Sequence, residues 1–180
     1  MSTLDTASLV LRLVVGLTMA AHGYNHLLGG GGVAGTTRWF ASMGLRPARV
    51  HAVLSGAGEL ACGGGLVIGL LTPFCAAFVV GTMVVAGVAV HRTNGFFVFK
   101  DGVEYVLVLA VVCVVLGLLG PGVGSVDHLL GLDTALDGGI GAAIAGGAGI
   151  LGAAALLAAC WRPAREPAAE QTAAPAASDN

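Results

Sequence analysis

Charge is what this sequence most lacks. Only 10% of its 180 residues are Asp, Glu, Lys or Arg, against about a quarter in an ordinary soluble domain. With 56% apolar residues and a mean hydropathy of +0.90, a globule of this length could not hide its apolar surface from water, so lipid is the solvent that fits. A formal net charge of −2 excludes a basic nucleic-acid binder, which needs clustered cations for phosphate. The four cysteines, Cys62, Cys75, Cys113 and Cys160, form no CxxC pair and no zinc-like cluster. Each lies in or at the end of an apolar run and reads as a small packing residue, with depth alone allowing a Cys62–Cys113 contact. There is no GxxxxGK[ST] loop, no dinucleotide fingerprint, and no Ser/His/Asp or Cys/His arrangement, so phosphate-loop, nicotinamide and hydrolase chemistries find no support. A basic leader is also missing, and the first apolar run is long enough to span, so no cleaved signal is expected.

What is present is a series of five apolar stretches, each near the ~20 residues that cross a bilayer core. They cover about Thr6–Leu28, Val50–Leu71, Pro73–His91, Gly102–Leu119 and an Ala/Gly-rich Gly139–Cys160. The expected fold class is all-α, a transmembrane helix bundle. The second and third helices meet at Leu71-Thr72-Pro73, which forces an antiparallel hairpin with proline in the first turn of the later helix. After four glycines, Gly29 to Gly32, the segment Thr36–Phe40 reads as a short amphipathic helix with Trp39 and Phe40 at the headgroup level. From Arg162 to Asn180 the chain turns to Ala, Pro and Glu and cannot bury a core.

Topology follows from the cations. Arg38, Arg46, Arg49, Arg92, Lys100, Arg162 and Arg165 all fall on one side of five spans, and the opposite loops carry Asp127, Asp133 and Asp137. The positive-inside rule then places the N-terminus outside and the C-terminus in the cytoplasm of a bacterial plasma membrane.

Polar groups inside the spans are few, and such groups face a bundle interior or a cavity. They are Arg12, His22 and His26 on the first helix, Glu59 on the second, His91 at the end of the third and Glu104 early in the fourth. Arg12, Gly16, Met19, Gly23 and His26 share a stripe of the first helix, with His22 beside it. Ser55, Gly56, Glu59, Cys62 and Gly63 share a face of the second, so two small-residue faces are expected to pack closely. Arg12 is long enough to reach Glu59 as a buried ion pair, a structural lock; the alternative is a proton-accepting or ligand-binding group in a cavity. Near the basic end, His22, His26, His91 and Glu104 gather beside Phe96, Phe97 and Phe99, which read as an interfacial anchor or a wall over a flat ligand. No EXXH-type repeat calls for a metal, and no facing histidine for haem. A quinone head asks less of these residues, while His51 and His128 read as interfacial histidines that snorkel to water.

These pieces resemble the DoxX family of small bacterial membrane proteins, from about Leu9 to Leu132. The resemblance rests on Leu11-Arg12-Leu13 with Gly16, HGYNHL (His22–Leu27), GGVAGTTRWFASMGL (Gly31–Leu45) and GAGELACGGGLVIGLLTP (Gly56–Pro73). It continues through His91–Phe97, Gly102 with Glu104-Tyr105, and GPGVGSVDHLL (Gly120–Leu130). It implies a four-helix membrane core over residues 1–132, with an additional C-terminal transmembrane helix over 133–161 and a disordered cytoplasmic tail over 162–180. Arg12, His22, Glu59, His91 and Glu104 match the family's polar positions, whereas the family carries lysine where His26 stands. Relatives include the membrane subunit of a thiosulfate:quinone oxidoreductase, and members are linked to an oxidoreductase complex with a sulfurtransferase and a superoxide dismutase. The resemblance thus implies a quinone-linked or oxidoreductase-associated component in sulfur, redox or oxidative-stress metabolism, with a soluble oxidoreductase or sulfurtransferase as partner. The competing reading is a non-enzymatic small-solute permease or membrane scaffold. Whether the chain itself catalyses a reaction stays open on the sequence.

Overall fold

The computed structural model describes residues 1–163, so the tail read from composition lies outside the described residues apart from Arg162 and Pro163. The chain is a helix bundle: α1 (Thr3–Leu27), α2 (Gly32–Ser42), α3 (Ala48–Ile68), α4 (Thr72–Asn94), α5 (Glu104–Leu119), α6 (Val126–Leu129) and α7 (Gly138–Cys160). Four of these, α1, α3, α4 and α7, are long and apolar enough to cross a membrane. The fourth expected span, α5, has 16 residues and rises about 24 Å at ~1.5 Å per residue, short of a ~30 Å hydrocarbon core. It packs between α4 and α7 and touches α1. Among the described residues there is no strand, only an isolated bridge between Leu45 and Trp161.

Local chemistry accounts for the element ends. Ser2 caps α1: its hydroxyl accepts from Asp5 N at 3.1 Å while Asp5 accepts from Ser2 N at 2.6 Å, satisfying two of the amides a helix start leaves free. Gly69 ends α3 in the left-handed region (φ +70°), the usual glycine stop, and Pro73 sits in the first turn of α4. Asp127, fully buried, then serves α4 from a distance. It accepts from Leu71 N at 2.7 Å and from Thr72 N and Thr72 Oγ1 at 2.9 Å each, while its own amide donates to Gly69 O at 2.9 Å. An anion at a helix N-terminus is favoured by the dipole and the free amides together.

The tightest packing is α1 against α3, antiparallel, as the two small-residue stripes predict. A Cβ on Gly16 would meet Gly63 O at 2.6 Å, and one on Gly63 would meet Gly16 O at 2.6 Å. Backbones this close need residues without side chains, and the approach supplies the van der Waals contact that holds helices together in lipid. Glycine does the same for α7, where a Cβ on Gly149 would meet Ala77 O of α4 at 2.6 Å and one on Gly141 would press on Gly117 of α5.

The segment Thr36–Phe40 is helical as expected, but α2 folds back on the bundle instead of lying only at its surface. Thr36 Oγ1 donates to His26 O at 2.8 Å, and Phe40 is buried against Leu45 and Ala52. Trp39 stays half exposed. The C-terminal end of α7 is stitched to the segment after α2: Arg46 N donates to Cys160 O at 2.9 Å, Arg162 N to Gly44 O at 2.8 Å, and Trp161 Nε1 to Met43 O at 2.9 Å. Arg92, at the end of α4, stacks over the Trp161 ring at 5.1 Å, a cation–π contact.

Candidate functional site

Two polar side chains meet where α1 and α3 cross near the basic end of the bundle. His26 lies in the last turn of α1, and Glu59 lies mid-way along α3, only 2% exposed. His26 Nδ1 and Glu59 Oε2 are 3.2 Å apart, yet they lack hydrogen-bond alignment and neither atom has another partner. Ser55, one turn earlier on α3, donates to Glu59 Oε1 at 2.7 Å. A buried carboxylate oxygen without a donor costs about 1–3 kcal/mol, so the unfilled valence demands a reason.

The reason lies in what the pair faces. A cavity of about 810 Å³ opens beside it, bounded by α2, α3, α4 and α7. Its wall is almost wholly apolar, and its polar groups are few: His26, His51, Ser55, Glu59 and Thr82. Phe78, Gly81 and Val85 of α4 form the floor, and Gly149, Ala153 and Leu156 of α7 the far wall. Both α3 and α7 pack on α4 but make no extensive contact with each other. Exposed Leu54 and Ala57 on α3 and exposed Gly152 on α7 line the gap between them. That gap faces sideways, into the lipid. At the pair's own end, His26 sits 6.0 Å from the Trp39 ring and 5.9 Å from Phe40, edge-on to the latter, and the two aromatics contact each other at 5.3 Å. An apolar space of this size with a few convergent polar groups is the usual form of a small-molecule site. Short π-helical turns, Gly87–His91 in α4 and Ile144–Ala148 in α7, contribute Ala89, Val90 and Ala148 to its wall, the kind of irregularity that often marks a functional place in a helix.

The six polar residues singled out in the sequence divide among separate places. His26 and Glu59 come together. Arg12 does not reach Glu59: it is fully buried toward the opposite, acidic end, where Nη2 donates to Gly124 O at 2.8 Å. It lies in the field of Asp127 and directly under Gly69, where any Cβ would collide with the guanidinium. The expected Arg12–Glu59 lock is therefore replaced by two sites, because the α3–α4 turn and the 120s loop offer Arg12 a nearer carbonyl and anion. His22 is exposed and does not line the cavity. His91 and Glu104 brace the connecting segment between α4 and α5: His91 Nδ1 bonds Asp101 O at 2.6 Å, and Glu104 Oε2 accepts from Val98 N at 2.9 Å. Phe96, Phe97 and Phe99 are exposed and stand away from the cavity, which corrects their reading as a wall over a ligand; the aromatic wall is Trp39 and Phe40. Cys113 is fully buried, and Cys62 and Cys75 are half-buried. Among the described residues no three His, Cys, Asp or Glu side chains converge in a way that would hold a metal ion.

Sequence reasoning missed the far wall. Nothing in the Ala/Gly run of α7 marks it as lining a cavity, since small residues serve close packing and a vacant slot equally well. The signal for Trp39 and Phe40 was available in their placement about two helical turns after a glycine turn, which returns α2 onto the end of α1.

No curated protein and no solved structure matched the chain. A family model did match, that of DoxX, over residues 7–92. That segment takes in α1, α2, α3 and nearly all of α4, hence both members of the His26–Glu59 pair and three of the four walls of the cavity, while α5 and α7 lie beyond it. The chain is a multi-pass membrane protein whose residues 7–92 are similar to the DoxX family.

Proposed function

We propose that the protein is a quinone-linked membrane component, whose cavity takes the head group of a lipid-soluble quinone from the bilayer. One observation carries this: an unpartnered Nδ1/Oε2 pair set in the wall of a large apolar cavity that opens toward lipid between α3 and α7. A quinone head is flat and apolar with two carbonyl acceptors. It fits a slot lined by Trp39, Phe40 and Phe78, and it takes a hydrogen bond from whichever of His26 or Glu59 carries a proton. The isoprenoid tail leaves through the lateral gap. The DoxX resemblance, with relatives that pass electrons to quinone, supports the same reading. In the plasma membrane, with the N-terminus outside, the basic end and its α2 segment face the cytoplasm, where a soluble oxidoreductase or sulfurtransferase would dock. A solute pathway bordered by both Arg12 and Glu59 has less support, since these residues serve different ends of the bundle.

The test uses the protein in nanodiscs, titrated with a short-chain ubiquinone or menaquinone analogue while tryptophan fluorescence is followed. Trp39 lines the cavity and Trp161 does not, so saturable quenching is expected in the natural protein and is largely lost in Trp39→Phe. Glu59→Gln should weaken the apparent affinity tenfold or more. Equal quenching in Trp39→Phe, or an unchanged affinity in a Glu59→Gln, His26→Ala double variant, would refute the assignment.

A further inference from the structure

The polar side chains that α3 gives to the cavity are not scattered. His51, Ser55 and Glu59 all line it, and they follow one another at four-residue spacing, one turn apart on a single face of the helix. His51 stands in the first turn of α3, partly exposed at the basic end. Glu59 lies eight residues further in, about 12 Å along the axis at ~1.5 Å per residue, and is almost fully buried. The inner link is closed: Ser55 Oγ donates to Glu59 Oε1 at 2.7 Å. At the outer end, His51 Nε2 bonds Arg46 O at 3.3 Å. A carbonyl only accepts, so this nitrogen carries the hydrogen, and Nδ1 of the neutral ring is left to take up a proton. Side chains four apart on a helix have Cβ atoms ~5–6 Å from each other, so one water molecule joins His51 to Ser55.

The rest of the cavity offers no second route of this kind. Thr82 Oγ1 donates to Phe78 O of its own helix at 3.0 Å. Among the described residues the titratable groups in the wall are His26 of α1 and His51 and Glu59 of α3, while α2, α4 and α7 supply none. The His26 side chain is 16% exposed but lacks hydrogen-bond alignment with Glu59. Toward the acidic end, nothing titratable lines the wall beyond Glu59.

We propose that His51, Ser55 and Glu59 form a proton file along α3, which joins water at the basic end to the buried carboxyl and makes proton supply to the cavity one-sided. A proton from water binds His51 Nδ1 and passes to the Ser55 oxygen. As it arrives, the Ser55 hydrogen moves to Glu59 Oε1, and the hydroxyl then turns back. The net change is one proton taken from water and one carboxylate neutralised; no electron moves. Glu59 then holds a hydrogen that it can donate to a quinone carbonyl in the cavity. The file deepens the quinone reading and rests on it for what receives that hydrogen. Rows of acidic and histidine side chains are a usual means of moving protons within membrane bundles.

The experiment uses the full chain in nanodiscs, stepped from neutral to acid pH by rapid mixing while the infrared carboxyl stretch is followed in time. Glu59→Gln identifies the Glu59 band by its loss. In His51→Ala the band should rise at least tenfold more slowly yet reach the natural protein's plateau, because a residue ~12 Å away along the helix leaves the carboxyl's surroundings alone. Free imidazole in the buffer should restore the rate, which the loss of a merely structural histidine would not allow. Ser55→Ala should be slow as well, and Ser55→Thr, which keeps the hydroxyl, fast. An unchanged rate in His51→Ala, no rescue by imidazole, slowing in His26→Ala alone, or no Glu59 band at acid pH would each overturn the file. Quenching of Trp39 by the quinone analogue, read on the natural protein, judges the quinone reading separately. Quenching with unslowed variants keeps the quinone cavity and removes the file; slowed variants without quenching keep the file and remove the quinone.

Discussion

Two buried polar sites stand at opposite ends of the α1–α3 pair, and they are built on opposite principles. At the acidic end, Asp127 is saturated: three donors converge on its carboxylate, its amide is bonded to Gly69, and Arg12, whose Nη2 bonds Gly124 O while Nε and Nη1 have no partner, lies within its field. At the basic end, His26 and Glu59 share an ill-aligned 3.2 Å approach with no other partner for either atom, and both residues line an apolar cavity. A buried ion whose valences are filled by backbone is architecture, because removing it strands every partner at once. A buried ion with a vacant valence beside a cavity does little for the fold and is available to a ligand. The contrast shows that burial and charge do not by themselves identify a functional group in a membrane bundle; the state of the partners does.

That contrast can be broken or sharpened by substitution, and the largest effect should come from the saturated site. Asp127→Ala removes the cap of α4 and leaves Arg12 without its counter-charge, so a loss of about 3–5 kcal/mol is expected, read as a fall in the detergent or nanodisc melting temperature. Gly63→Ala drives a Cβ into the backbone of α1 at 2.6 Å from Gly16 O. An overpacked contact of this kind costs about 1–3 kcal/mol, and a melting temperature equal to the natural protein's would mean that the helices separate freely. Glu59→Gln should change stability by less than about 1 kcal/mol, because Ser55 is the one aligned partner it disturbs, while quinone quenching drops. A stability loss as large as that of Asp127→Ala would show that the pair is a lock like its counterpart, and the comparison would collapse.

The smallest effect is expected outside the spans. His128 hydrogen-bonds Asp133 and holds its carboxyl below the ordinary value of 3.8. The folded-state value is depressed, so the stabilisation is present above the unfolded value and disappears as pH falls through the folded one. His128 is exposed and Asp133 partly so, and surface pairs contribute little. Asp133→Asn should therefore leave the melting temperature at neutral pH within error, and a natural-minus-variant difference should shrink further only in strongly acid buffer.

Particular residues show why some of this was legible in the sequence. The stripe Arg12, Gly16, Met19, Gly23, His26 and its counterpart around Glu59 are set by helical periodicity, and α1 and α3 pack along them because lipid offers no better partner for glycine-lined faces. The proline at the head of α4 and the glycine turn before α2 are equally local. Which cation would answer Glu59 was not local. Arg12 and His26 lie on one stripe of α1, on either side of the level of Glu59, and both were long enough or near enough. The choice was made by the 120s loop, whose Gly124 carbonyl and Asp127 draw Arg12 the other way.

The sequence by itself therefore determined the solvent, the approximate places of the long helices, the α3–α4 hairpin and the DoxX resemblance, because each of these depends on composition or on residues a few positions apart. Only the tertiary structure decided that His26 and not Arg12 meets Glu59. It also decided that α2 and α7 close a cavity in front of the pair. Those outcomes depend on which distant surfaces compete for the same side chain, and on where helices leave a gap. A vacancy between α3 and α7 leaves no mark on the residues that surround it, since alanine and glycine are what both a tight contact and an open slot require.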